Sequence, residues 1–164
     1  MELDTKLVYL LLGSNMGDRA ALLAEAIRHI GLRVGELEAV SSIYETAAWG
    51  KTDQPGFLNV AICVATAFTA EEVLDEVLAI ELQMGRVREE RWGSRIIDID
   101  VILYSDEIIS IPNKLQVPHP EMQHRRFVLE PLSEIAAVAF HPQLHKTVQE
   151  LLVDLEDNLA VWKI

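Results

Sequence analysis

Two aspartates one residue apart, Asp98 and Asp100, stand in the run Ile96-Ile97-Asp98-Ile99-Asp100-Val101-Ile102-Leu103. Side chains of a strand alternate between its faces, so both carboxylates share one face while Ile97, Ile99, Val101 and Leu103 point into a core. Bare carboxylates at that spacing repel and one tends to protonate, whereas a divalent cation neutralises both. Such oxygen ligands suit Mg2+, which takes one or two carboxylates and completes its shell with phosphate oxygens and water. A solvated strand face is the competing reading of an isolated Asp-x-Asp.

The residues just upstream weigh against that competitor. Arg86, Arg88, Arg91 and Arg95 fall within ten residues, and Lys114, Arg125 and Arg126 follow. The chain has 14 Lys and Arg against 26 Asp and Glu, a formal net charge of -12, so its few cations are gathered. Arginine forks bind phosphate oxygens bidentately, and arginines beside Mg2+ form a recurrent clamp on a transferring phosphoryl group. A triphosphate site is the economical reading. Its rival is a salt-bridge network of the arginines with Glu89, Glu90 and the two aspartates. The acidic remainder repels nucleic acid and anionic membranes, which selects a small polyanion over a long one.

A flat ring is the second implied ligand. Phe57 and Phe127 offer stacking surfaces, and Thr46 and Asn59 offer donors and acceptors at the ends of a long loop containing Gly50, Pro55 and Gly56. Taken singly, both phenylalanines also suit a core. His119, held between Pro118 and Pro120, can donate to a phosphate or serve the fold. Gly13-Ser14-Asn15 follows an apolar run and reads as a turn or a phosphate contact, but no Gly-Lys-Ser/Thr follows as a Walker A loop requires. Cys63 is the only cysteine and lies in an apolar run, which excludes a disulfide framework and implies a buried thiol.

The elements that must position these groups are legible from spacing. Lys6 to Leu12 predicts a buried strand, and Asp18 caps a helix carrying Leu22, Leu23, Ala26, Ile27 and Ile30 to a stop at Gly31. Val34 to Thr46 reads as one strand and Phe57 to Phe68 as another. Thr69-Ala-Glu-Glu72 has capping-box spacing for a helix reaching about Met84. Ile96 to Tyr104 is a strand, paired with a short one near Ile108 to Ile111. Pro112 to Pro120 is irregular, and helical segments follow near 121–124, 129–135 and 147–155. The order β-α-β-β-α-β predicts an α+β, ferredoxin-like sandwich: a mainly antiparallel sheet with helices on one face, long active-site loops and C-terminal additions.

Half of the 164 residues are apolar, which suits a single domain over 1–164 with its own core. The apolar runs are far shorter than the roughly 20 residues that span a bilayer, and the acidic start does not read as a signal peptide. A cytoplasmic monomer with no nucleic-acid or membrane partner is the expectation.

Together these residues resemble the 6-hydroxymethyl-7,8-dihydropterin pyrophosphokinases of the folate pathway. The matching segments are Gly13-Ser14-Asn15, Ser42-Ile-Tyr44-Glu-Thr46, Asp53-Gln54-Pro55-Gly-Phe57-Leu58-Asn59, Ile80-Glu81-Leu, Gly85-Arg86-Val-Arg88, Glu90-Arg91-Trp92-Gly93, Arg95-Ile-Ile-Asp98-Ile-Asp100, Val117-Pro118-His119 and Arg125-Arg-Phe127. They run in family order over roughly residues 8 to 135, and the Arg-Trp-Gly-x-Arg-x-x-Asp-x-Asp string is highly specific.

The resemblance implies attack of a pterin hydroxymethyl oxygen on the β-phosphorus of ATP, giving the pterin diphosphate and AMP. It puts two Mg2+ ions on Asp98 and Asp100, with Arg86 and Arg95 joining these aspartates as catalytic residues. Arg86, Arg88, Arg91, Trp92, Arg95, Lys114 and His119 would serve ATP. Gly13, Thr46, Trp49, Phe57, Asn59, Arg125 and Phe127 would serve the pterin, while the loops near 46–55 and 85–94 close over both substrates. Three departures stand out. Ala47 replaces the family's common proline, Phe57 replaces its usual tyrosine, and the arginine loop is a residue shorter between Arg88 and Arg91 than in some relatives. A palm-type nucleotidyl transferase, attacking the α-phosphorus, is a second enzymatic reading, and a ferredoxin-like sensor or RNA-binding module a non-enzymatic one.

Overall fold

The computed structural model describes residues 4–46, 56–85, 96–157 and 159–164. Strand β1 (Lys6–Ser14) lies inside the sheet, a place that suits its near-continuous apolar sequence. It pairs antiparallel with β4 (Phe57–Thr66) on one side and with β5 (Asp98–Tyr104) on the other. Beyond β4 lie β2 (Glu36–Val40) and β3 (Tyr44–Thr46), and β10 (Val161–Lys163) adds itself to β3. The path β10-β3-β4-β1-β5 leaves β5 as an outer strand.

Helix α1 (Arg19–Arg33) starts where Asp18 accepts the Ala21 N–H, and α2 (Ala70–Gln83) starts with the Thr69–Glu72 capping box, as the sequence predicts. Their apolar stripes, Leu23, Ala26 and Ile30 with Val73, Val77 and Ile80, cover the sheet face formed by Leu10, Leu12, Val60 and Ile62. The opposite face carries Leu11, Ala61, Ile102 and Leu103 under α3 (Arg126–Ala136) and α4 (Val148–Asp154). The α+β sandwich is therefore as expected, but helices pack on both faces. Past the end of the α3–α4 cluster, that second face presents Gly13, Phe57, Asn59 and Asp98.

Several local expectations are corrected. The predicted strand over 34–46 is two strands, because the Ser41 hydroxyl, not a main-chain carbonyl, accepts the Ala61 N–H and the pairing with β4 breaks there. Helix α1 runs past Gly31, since Ile30 and Val34 are both buried and their burial outweighs the roughly 1 kcal/mol cost of a helical glycine. Gly13 and Ser14 are the last two residues of β1, so the strand ends within the Gly13-Ser14-Asn15 motif and two residues later than Leu12. The short strand β6 (Ile109–Ile111) pairs with β7 (Leu115–Val117), inside the stretch expected to be irregular, and not with β5.

Leu103 also faces the other way. Val101 opposes Leu10 and Leu103 opposes Tyr9, so Ile102 is an extra residue on β5. A bulge of this kind reverses the inside-outside alternation, and Leu103 joins the α3–α4 cluster while Ile97, Ile99 and Val101 stay in the α1–α2 core. After this hairpin come the 3-10 turn Met122–His124, and then β8 (Phe140–His141), which pairs with β9 (Lys146–Thr147). No helix among the described residues is long and apolar enough to cross a membrane.

Candidate active site

Strand register assembles the site. Gly13 on β1 is opposite Asn59 on β4 and opposite Asp98 on β5, so a single row across three strands holds Asn59, Gly13 and Asp98. Directly opposed residues of an antiparallel pair share a face. With strands about 4.8 Å apart, the row sets the Asn59 and Asp98 backbones about 10 Å from each other. Asp100 follows in the next row, opposite Leu11. Asp98 is half-buried and Asp100 exposed, on the same side of the outer strand, as the alternation predicts.

A flat slot borders this row. Thr46 pairs with Phe57, and the Asn59 amide donates to the Thr46 hydroxyl at 3.3 Å. Both polar residues are buried to 3% exposure, with Phe57 half-buried beside them. A methyl group on Gly13 would stand 3.1 Å from Asn59 Oδ1 and 3.4 Å from a Phe57 ring carbon, so the missing side chain leaves the slot its depth. The stems of the intervening segment are clamped as well. Arg19 at the start of α1 bonds Glu45 at 3.0 Å and the Gly56 carbonyl at 2.7 Å, and a Cβ at Gly56 would lie 2.2 Å from the Thr46 carbonyl oxygen. Phe127, in the first turn of α3, is half-buried with the Arg125 guanidinium 5.7 Å from its ring centre. The neighbouring Arg126 is taken up by Glu130 and by Asp157 and its carbonyl, and so secures the C-terminal segment.

On the outer edge of β5 lies a cavity of about 380 Å3. Leu74, Ile99, Val101, Ile111 and Leu115 supply its apolar walls, and Asp100, Lys114 and His119 stand at its polar margin. Lys114 reaches across to Glu71 and Asp75 on α2, at 2.9 and 3.2 Å, and these hydrogen bonds hold its ammonium above the usual lysine range. The His119 N–H donates to the carbonyl of Ile102, the bulge residue, at 2.9 Å. Its ring Nδ1 accepts the Glu121 N–H at 3.1 Å, which puts the ring proton on Nε2 as a donor. Burial, and then the nearby Arg125 charge, push the His119 ring below the usual histidine range and favour its neutral form.

The structure thus brings together Gly13, Thr46, Phe57 and Asn59 with Asp98 on one sheet face, and Asp100, Lys114 and His119 at the edge cavity. Arg86, Arg88, Arg91, Trp92, Arg95 and Trp49 lie outside the described residues. Cys63 is buried, as expected, and burial raises its thiol.

Two further carboxylates contribute that the spacing of the sequence does not single out. Glu81 on α2 is 3% exposed and accepts the Ile99 N–H at 2.7 Å, between the two aspartates. Its signal was a charge four residues after Val77, on the apolar stripe of its helix. Glu134 on α3 accepts the Ser42 N–H, the Ser42 hydroxyl and the Tyr44 hydroxyl at 2.8, 3.1 and 2.7 Å. Nothing local in the sequence announces that link.

Two carboxylates on one face of an outer strand thus stand beside a flat slot on an α+β sandwich. Residues 9–137 match the 7,8-dihydro-6-hydroxymethylpterin-pyrophosphokinase family, and the chain belongs to it. The 2-amino-4-hydroxy-6-hydroxymethyldihydropteridine pyrophosphokinase of Methylorubrum extorquens is 45% identical over 154 residues, covering 92% of this chain and 94% of that one. The enzyme of the same name from Aquifex aeolicus is 40% identical over 143 residues, covering 87% and 88%. A crystal structure of Plasmodium falciparum HPPK-DHPS superposes with a TM-score of 0.75 over 93% of this chain, at 18% identity, a likeness of fold. The chain spans 44% of that longer protein.

Proposed function

We propose that this chain transfers the pyrophosphoryl group of Mg-ATP to the hydroxymethyl oxygen of 6-hydroxymethyl-7,8-dihydropterin, as a cytoplasmic monomer in folate biosynthesis. The hydroxymethyl oxygen bonds to the β-phosphorus and gives up its proton. The bond between that phosphorus and the oxygen bridging to the α-phosphorus breaks, and AMP leaves. The observation that supports this reading is the register row Asn59–Gly13–Asp98, which puts the slot at Asn59 and Gly13 on the same sheet face as Asp98.

In this reading the pterin ring lies between Phe57 and Phe127, with Thr46 and Asn59 bonding its polar edge and Trp49 and Arg125 at the rim. The edge cavity takes the nucleotide, its apolar walls against the base, and His119 Nε2–H donates to a phosphate oxygen. Arg86, Arg88, Arg91 and Arg95 bind the triphosphate, and Trp92 accompanies them. The donor chemistry of Asp98 and Asp100, two hard oxygen ligands on one face of an outer strand, fits two Mg2+ ions. Bound there, Mg2+ neutralises triphosphate oxygens and relieves the repulsion between the aspartates. The rest of the rate comes from holding the hydroxymethyl group in line with the β-phosphorus and from excluding water that competes as nucleophile.

The test is to incubate the chain with ATP, Mg2+ and the pterin and to separate the nucleotides by chromatography. AMP that forms only with pterin supports the reading. ADP or pyrophosphate as the released product overturns it.

A further inference from the structure

We infer that Glu81 is a positioning residue that fixes the two metal-binding aspartates from behind the sheet. This rests on the proposed roles of Asp98 and Asp100, and it goes beyond them by naming what holds these side chains in place.

The problem that Glu81 solves follows from topology. Among the described residues β5 pairs with β1 alone, and its first residue is Asp98. On the inner side the pairs Gly13↔Asp98, Leu12↔Ile99 and Leu11↔Asp100 set its register. On the outer side no strand among the described residues supplies acceptors, and an outer strand paired along one edge twists and frays more readily from its end. Twisting matters here because both aspartates sit at that end and their side chains swing with the backbone.

Glu81 supplies the missing outer partner. Its carboxylate oxygen accepts the Ile99 N–H at 2.7 Å, the main-chain group midway between the aspartates. Glu81 is 3% exposed, on a helix whose neighbouring Ile80 is fully buried, and Ile97 and Ile99 are buried against the same core. Burying a carboxylate is costly unless its bonds are made, and the Ile99 N–H is one of the groups that meet this one. Its hydrogen bond is charge-assisted and therefore short and directional. It pins Ile99 inward, and the strand alternation then holds Asp98 and Asp100 outward together. Groups that orient metal ligands in this way are worth 10- to 100-fold in metal affinity.

The experiment compares Glu81→Gln and Glu81→Met with the parent. Glutamine keeps an oxygen acceptor for Ile99 and removes the charge, and methionine fills the same volume without a comparable acceptor. Uptake of Mn2+, with a non-hydrolysable ATP analogue present, is read from loss of the free-ion electron paramagnetic resonance signal. Pterin binding alone is read from ligand fluorescence.

The expected result is that E81Q holds Mn2+ within about threefold of the parent while E81M weakens it about tenfold or more, with pterin affinity unchanged in both. Parent-like Mn2+ binding in E81M overturns the inference. So does an equal loss in E81Q and E81M, which would make the charge and not the anchor responsible, or a fall in pterin affinity in step with the metal. A parent that takes up no Mn2+ sinks the two-aspartate reading and this inference with it. Should E81M fail to fold, amide exchange decides: slow exchange at Ile99 in the parent and in E81Q supports the anchor, and fast exchange in the parent contradicts it.

Discussion

Gly13 and Asn59 face each other across β1 and β4 so closely that a single methyl group on Gly13 would stand 3.1 Å from Asn59 Oδ1. The glycine is needed for the space above it, since that space is the floor of the proposed pterin slot and borders Asp98. Gly13→Ala therefore crowds Asn59 and Phe57 without touching the edge cavity. The expected result is a drop of about tenfold in kcat/KM for the pterin, near 1.4 kcal/mol, carried by KM for the pterin and not for ATP. Steady-state kinetics with each substrate varied in turn checks this.

The aspartates carry a larger share of the rate. Asp98→Asn or Asp100→Asn removes a charge from the pair while leaving its size, so the fold should survive and turnover should fall about 100- to 1,000-fold, some 3 to 4 kcal/mol. Chelation of divalent ions should abolish activity in the parent and leave its thermal unfolding almost unmoved. Quenched-flow or steady-state rates together with circular dichroism separate the two effects.

Glu134 ties α3, which carries Phe127, to β3, which carries Thr46. Burial and then the bond to Glu134 push the Tyr44 hydroxyl up to about 12, so it stays a donor throughout the working range. For Glu134, burial alone raises the carboxyl, but the bonds from Tyr44 and Ser42, aided by Lys163, outweigh it and hold it below the usual glutamate range. A depressed carboxyl contributes stability that is present above its unfolded value, near 4.3, and is lost as pH falls through the folded value. Glu134→Ala should cost about 1 kcal/mol at pH 7, discounted for partial exposure, and the gap to the parent should close in that acid window. Denaturant unfolding at several pH values measures it.

His119 titrates in a different window. Its ring is held below 6.5, the ordinary value, by burial first and by Arg125 second. The sign is the same: stability present above 6.5 is lost as pH falls through the folded value, because the unfolded ring takes up a proton first. An NMR titration should put the His119 midpoint below 6.5, and His119→Gln should flatten the stability profile there. A midpoint above 6.5 would contradict the buried neutral ring described here.

Features that depend on a few adjacent residues were legible in the sequence. The Asp98–Asp100 alternation, the Asp18 cap and the Thr69–Glu72 capping box all rest on contacts within one turn or one strand, and the structure has each of them. Features set by distant partners were not. Ser42 and Tyr44 meet Glu134 more than 85 residues away, and β10 joins β3 from the far end of the chain. The Ile102 bulge is equally silent, since an apolar strand reads the same with or without an extra residue, yet its carbonyl is what anchors His119. Residue types alone group Thr46, Asn59, Phe57 and Phe127 around a flat ring, and the family likeness adds Gly13, Trp49 and Arg125 and makes that ring a pterin.

In the proposed reaction the β-phosphorus is attacked and both outer phosphates travel together. ATP labelled separately at the α- and γ-phosphorus tests it in one pair of reactions. Attack at the β-phosphorus puts the γ-label in a pterin diphosphate and the α-label wholly in AMP. A γ-label found in a pterin monophosphate with ADP, or an α-label joined to the pterin, would contradict it.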